Sequence, residues 1–199
     1  ENENKFYSNS DAYFNFSNRY SGETKSFNYS INEKELVSEN EVKVNDDQGN
    51  VFFINDFKYQ ISIKTFRGKK TKFIDAEKNE YLISDTMIDL EKNQIFGKDL
   101  NINFNKSSFG NIQNDPRLKA RSFNSKNGIS SINKGVFTTC KKTEKCPAWQ
   151  LSADNMTHNK KKKIIEYKSA WLQVYNLPVA YFPKFSHPDP TVKRQSGFL

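Results

Sequence analysis

Phe57-Lys58-Tyr59-Gln60-Ile61-Ser62-Ile63-Lys64 alternates apolar and polar residues along its whole length. A period of two puts Phe57, Tyr59, Ile61 and Ile63 on one side of an extended chain and the polar residues on the other. Leu100, Ile102 and Phe104 alternate with Asn101, Asn103 and Asn105 in the same way. Shorter cases are Phe27-x-Tyr29-x-Ile31, Val42-x-Val44, Ile88-x-Leu90, Trp149-x-Leu151, Ile165-x-Tyr167 and Leu172-x-Val174. Strands with one apolar and one wet face imply antiparallel sheets around a shared interior. The palette agrees: 7 Ala and 9 Leu stand against 14 Ile, 8 Val and 28 aromatics, which favours strands over helices.

Polar clusters punctuate these segments: Asn32-Glu33-Lys34, Asp46-Asp47-Gln48-Gly49-Asn50, Glu91-Lys92-Asn93, Lys126-Asn127-Gly128 and Asn159-Lys160-Lys161. Their composition suits hairpin turns. A strand, a turn and a returning strand recur with a spacing that drifts by a residue or more. Stacked hairpins of this kind predict an all-β fold, a jelly roll of antiparallel strands or a short solenoid.

At 199 residues, the chain has room for one large β domain. No run approaches the roughly 18 apolar residues of a membrane helix. The net charge is +8, but 26 of the 31 basic residues are Lys. Arg makes the better bidentate phosphate and base contacts, so the balance argues against nucleic acid. No catalytic set stands out. There is no phosphate-cradling glycine loop and no G-x-S-x-G elbow. His158 lies beside a lysine run, and His187 sits in a His187-Pro188-Asp189-Pro190 turn, so neither metal, cofactor nor enzyme is expected. Lys160 to Lys163 read as a wet hairpin tip.

Cys140 and Cys146 are the two cysteines. A local disulfide closing the loop Lys141 to Lys145 is expected. It would contribute about 2–2.5 kcal/mol in the chain-entropy account. Pairing with cysteines elsewhere and free thiols are the alternatives. Four of the six prolines, Pro178, Pro183, Pro188 and Pro190, fall close together. Proline removes amide donors, so residues 177–199 are expected to leave the sheet domain (1–176) as an extended connector.

The C-terminal third carries a resemblance. Gly135-Val136-Phe137-Thr138-Thr139-Cys140 is followed by Cys146-Pro147-Ala148-Trp149-Gln150-Leu151-Ser152-Ala153, then by His158, Ile165, Tyr167, Ala170 and Leu172. Pro178-Val179-Ala180-Tyr181-Phe182-Pro183 and the block His187 to Leu199 close it. This stretch resembles the LptD family (also OstA or Imp) of outer-membrane lipopolysaccharide-assembly proteins, in its alphaproteobacterial form. The resemblance implies an OstA-type β-jelly roll on the periplasmic side of the cell outer membrane, followed by a barrel whose first strand would begin near Ser196 to Leu199. It also implies docking to the bridge protein LptA, a barrel plugged by LptE, and lipopolysaccharide as cargo. The family's interdomain disulfides depart from the close C-x5-C spacing here.

Shielding acyl chains from water requires a continuous apolar interior. The residues expected to line it are Phe57, Tyr59, Ile61, Ile63, Ile88, Leu90, Leu100, Ile102, Phe104, Trp149, Leu151, Ile165, Tyr167, Leu172 and Val174. Filling a closed core is the plain alternative for each. Tyr13 to Phe16 or Phe27 to Ile31 are the expected edge for LptA. An LptA- or LptC-like bridge component and a secreted structural β domain are the competing readings.

Overall fold

The computed structural model describes residues 4–16, 18–109, 112–143, 147–188 and 192. Apart from two 3-10 turns, Ile61–Ile63 and Lys106–Phe109, the regular elements are strands. Fifteen strands form one antiparallel sheet of the jelly-roll type that does not close on itself. Packing divides the chain into two compact units, residues 1–99 and 100–199.

The first unit holds β1 (Lys5–Ser8), β2 (Ala12–Phe16), β3 (Tyr20–Thr24), β4 (Phe27–Ser30), β5 (Glu35–Ser38), β6 (Val42–Asp46), β7 (Val51–Gln60), β8 (Thr65–Ile74) and β9 (Glu80–Asp89). β10 (Gln94–Asn103) straddles the division. β7 is the branch point. Its first half pairs with β6, from Val42↔Ile54 to Asn45↔Val51. Its second half pairs with β5, from Ser38↔Phe57 to Glu35↔Gln60. One ribbon, β2-β3-β6, therefore hangs from one arm of β7, and another, β1-β4-β5, from the other arm.

The two arms are possible because β7 bends. Its buried residues run Phe52, Ile54, Phe57, Tyr59, with one step of three between steps of two. Two consecutive residues, Asn55 and Asp56, face outward, and Asp56 takes a left-handed conformation (φ 49°). Such a residue reverses the pleat once, like a bulge, so the strand turns while its apolar residues stay inside. The same step separates Ile83 from Thr86, Gly97 from Leu100, Ile132 from Gly135, Ala153 from Met156 and Tyr167 from Ala170, each a buried pair. Left-handed residues mark it in alternate strands: Lys70 (φ 45°), Asp99 (φ 49°), Lys134 (φ 49°) and Ser169 (φ 52°).

The core of the first unit lies between the two arms. Val42, Val44, Phe52, Ile54, Phe57, Tyr59, Phe66 and Ile88 form it, with Phe14, Tyr20, Leu36, Phe73, Leu90 and Ile95 packed against it. Phe14 of β2 reaches across to Phe57, with ring centroids 6.2 Å apart.

The second unit holds β11 (Arg117–Lys126), β12 (Ile129–Thr138), β13 (Trp149–Asn159), β14 (Ile164–Val174) and β15 (Leu177–Pro188) in one meander. Asn127 (φ 52°) and Gly128 (φ 82°) make the primed turn between β11 and β12, whose twist matches that of the strands. Its buried side chains are smaller and fewer: Leu118, Ala120, Ile132, Leu151, Ala153, Met156, Tyr167 and Ala170, with Leu100 and Ile102 of β10.

Two expectations need correction. The alternation from Phe57 stops at Gln60, because Ile61–Ile63 form a 3-10 turn ended by left-handed Lys64 (φ 48°). The Pro-rich segment is extended, but it does not leave the sheet at residue 177. Leu177–Pro188 pairs with β14 along its length. Edge position explains this, since a proline there need not donate to a neighbour. Pro178 sits at the register shift, Pro183 falls opposite the bend at Ser169, and Pro188 ends the strand. Of the His187 to Leu199 block, residues 189–191 and 193–199 lie outside the described residues.

Candidate functional site

In each unit the bent strands turn an apolar face inward. Each long strand contributes residues at a spacing of two on either side of its three-residue step. In the first unit Phe57, Tyr59 and Ile88 are buried and Leu90 is half-buried against the same core. Burial pushes the Tyr59 phenol up from its usual pKa range. In the second unit Leu100, Ile102, Leu151 and Tyr167 are buried, while Phe104, Trp149, Ile165 and Leu172 are half-buried. Phe137 stands between Phe104 and Trp149, edge-on to both, at 6.2 and 5.9 Å.

Three expected lining residues lie elsewhere. Ile61 is 39% exposed and Ile63 is 52% exposed, both on the 3-10 turn. Val174 is 37% exposed at the end of β14, where it pairs with Leu177 near the turn. Other inward residues were not anticipated: Val42 and Val44 apart, the interior also takes Phe52, Ile54, Phe66, Ile83, Leu118, Ile132 and Met156. Their signal was the pattern apolar-x-apolar-x-x-apolar-x-apolar, as in Phe52-x-Ile54-x-x-Phe57-x-Tyr59.

The inward face of the second unit ends in aromatic rings on the outermost strand. Tyr167, 3% exposed, packs against Phe185 at 5.6 Å and stacks on His187 at 5.4 Å. His187 Nδ1 donates to the Pro188 carbonyl at 2.6 Å, and in the neutral ring its Nε2 accepts from the Tyr167 hydroxyl at 2.9 Å. Burial holds the Tyr167 phenol far above its usual range. Phe182 and Phe185, on the same face, remain 36% and 37% exposed.

Two polar atoms interrupt the inward face of the first unit. Thr71 Oγ1 and Thr86 Oγ1 are buried without a hydrogen-bond partner. Other buried hydroxyls are satisfied: Thr24 bonds Ser38 at 2.9 Å, Ser38 bonds the Asn40 carbonyl at 3.0 Å and Thr65 bonds the Ile63 carbonyl at 3.1 Å.

Among the described residues Cys140 is a free thiol, half-buried, its Sγ 3.6 Å from the Trp149 carbonyl. Cys146, the expected disulfide partner, lies outside the described residues. The start of that loop is tied down by Asp115, which accepts from the Lys142 amide at 2.9 Å and pairs with Lys106 at 2.6 Å. The hydrogen bond from Lys106, then that from the Lys142 amide, holds the Asp115 carboxyl below its usual range. Lys160 to Lys163 are exposed in the turn after β13, as expected of a wet tip. Among the described residues, no group of three or more His, Cys, Asp or Glu is placed to hold a metal ion.

The expected docking edges resolve into one. β2, with Tyr13 to Phe16, pairs only with β3, so its other side is an open edge among the described residues. Phe27–Ser30 is β4, flanked by β1 and β5, and offers none. Comparison of the chain with protein-family models and with curated proteins finds no match to either.

Proposed function

We propose that this chain is a periplasmic lipopolysaccharide-transport domain of the LptD kind. It takes lipopolysaccharide from an LptA bridge and shields the acyl chains along the inward apolar face. It then passes them to an outer-membrane barrel plugged by LptE. One observation supports this most: the inward face of the second unit runs from buried Leu100 and Ile102 to half-exposed Phe182 and Phe185 without a charged residue among them. Each methylene kept from water there is worth about 0.8 kcal/mol. Rows of aliphatic and aromatic groups hold such a chain without fixing it at one point. The resemblance of the C-terminal third supplies the cargo and the partners, and β2 supplies the edge for LptA by strand addition.

A photo-reactive residue at Phe182 is expected to crosslink to lipopolysaccharide in cells, and one at Ile61 is not. Phe185→Asp, at a position 37% exposed and with folding checked by circular dichroism, is expected to abolish the Phe182 crosslink. Undiminished crosslinking in that variant counts against an inward path. Asn15→Pro in β2 is expected to abolish LptA binding, and retained binding excludes that edge.

The filled core of the first unit favours a second reading, a structural β domain without cargo. Absence of any lipopolysaccharide crosslink from the inward face would select it.

A further inference from the structure

The β14–β15 hairpin has an apolar tip, which sets it apart from the other hairpins of its unit. The β11–β12 turn is Asn127-Gly128 and the β13–β14 turn carries Lys160 to Lys163. In the turn between β14 and β15 Tyr175 is 66% exposed, and at the start of β15 Leu177 is 69% and Val179 56% exposed. The turn itself is unusual. Tyr175 (φ 47°) and Asn176 (φ 66°) are both left-handed, a conformation that Asn tolerates and a bulky aromatic residue rarely adopts. The backbone holds Tyr175 out at the tip at a cost of about 1 kcal/mol or more.

Behind the tip, the outward face changes character in order. Trp171 pairs with Tyr181 across the two strands, their rings 4.8 Å apart and both more than 40% exposed. The next outward pair is Lys168↔Lys184. Two like charges directly opposite one another on a sheet repel, and nothing acidic pairs with either among the salt bridges of the described residues. Glu166↔Ser186 follows, further from the tip. Three residue steps lead from Lys168 to Trp171, and three more reach Val174 beside the turn, about 10 Å each at strand rise.

Apolar tip, amphipathic aromatic pair, cationic pair: that is the order of a bilayer leaflet read from the hydrocarbon outward. We infer that the β14–β15 hairpin docks on an anionic bilayer surface, with Leu177 and Val179 entering the acyl boundary, Trp171 and Tyr181 at the headgroups, and Lys168 and Lys184 on lipid phosphates. The net charge of +8 suits that surface. Another sheet is a poorer occupant, because Pro178 and Pro183 deprive the outer strand of donors. This inference does not depend on the transport reading: Trp171, Tyr181, Lys168 and Lys184 lie on the opposite face, and Leu177 stands at the tip beside Val174.

Vesicle flotation of the 199-residue chain tests it. Vesicles of phosphatidylethanolamine and phosphatidylglycerol are expected to carry the protein up, less so as salt is raised. Leu177→Ser with Val179→Ser is expected to cut the floated fraction about tenfold or more, with unchanged circular dichroism and melting. Lys168→Gln with Lys184→Gln is expected to remove the preference over phosphatidylcholine vesicles. A wild-type chain that stays at the bottom of the gradient overturns the inference. So does a tip variant that floats like the wild type. A soluble dimer that the tip variant dissociates, without vesicle binding, would assign the hairpin to a second copy instead.

Discussion

The two units share one backbone device and fill it differently. In both, each long strand bends once, through a pair of outward residues that shifts the apolar spacing from two to three. The first unit packs large rings and branched side chains into the bend, with Phe57 and Val42 fully buried and Phe14 closing over from a second layer. The second lines the bend with Gly135, Ala153 and Ala170, and its face ends on half-exposed phenylalanines. The bend is therefore a property of the chain path, whereas openness is a property of side-chain size and of what covers the face.

This difference has measurable consequences. Phe57→Ala is expected to cost about 3–5 kcal/mol, the upper range for a large ring lost from a closed core. Met156→Ala, the counterpart at the bend of β13, is expected to fall at the low end of its class, about 2 kcal/mol. Chemical denaturation of both reads the gap, and equal losses would erase the contrast between the units. Glycines at the bends sharpen it. A Cβ on Gly68 would lie 2.0 Å from Ile54 Cγ2 and 3.0 Å from the Asn55 carbonyl oxygen. Ile54 is only 2% exposed, so Gly68→Ala is expected to cost about 2–3 kcal/mol through overpacking. On Gly135 the clash is 2.7 Å from Met156 Sδ, the adaptable end of a flexible side chain. Gly135→Ala is expected to cost about 1 kcal/mol or less.

Thr71→Val should act in the opposite direction. Replacing a buried hydroxyl that has no partner by a methyl of similar shape is expected to stabilise the first unit by about 1 kcal/mol. A destabilised variant would reveal a bond to that hydroxyl. The smallest effect concerns alkaline pH. Tyr167 has a folded pKa above its unfolded value, because burial disfavours the phenolate. Its stabilising contribution is complete below the unfolded tyrosine value, about 10, and declines as pH rises from there towards the folded value. Tyr167→Phe is expected to flatten the stability profile in that window, measured by melting against pH.

Much of the fold was legible because alternation survives on each arm of a strand. Leu100-x-Ile102 and Phe57-x-Tyr59 point the right way, whereas Leu172-x-Val174 holds only at Leu172. A two-residue period cannot see across a bend, so Ile54 and Phe57 read as belonging to different segments when they belong to one strand and one core. Where the true strand ended at Gln60, the pattern happened to continue through Ile61 and Ile63, and only backbone geometry separates them. The prolines misled for a related reason. Proline excludes a central strand, but an edge strand needs only half its amides. The all-β class thus followed from composition and rhythm, which left a jelly roll and a short solenoid open, and the resemblance implied the jelly roll. Which residues face inward depended on phase, and phase turns on single left-handed residues such as Asp56 and Lys134.

The branching at β7 has a bearing on synthesis. Six short strands precede the one that supports them, and none of their ribbons can attach until residues 51–60 have emerged. Residues 4–50 thus leave the ribosome before their template exists, and both ribbons must then be recruited backwards onto a newly made strand. Such delayed pairing leaves these strands open to premature association, so a chaperone acting on this protein has most to do while β1 to β6 wait for β7.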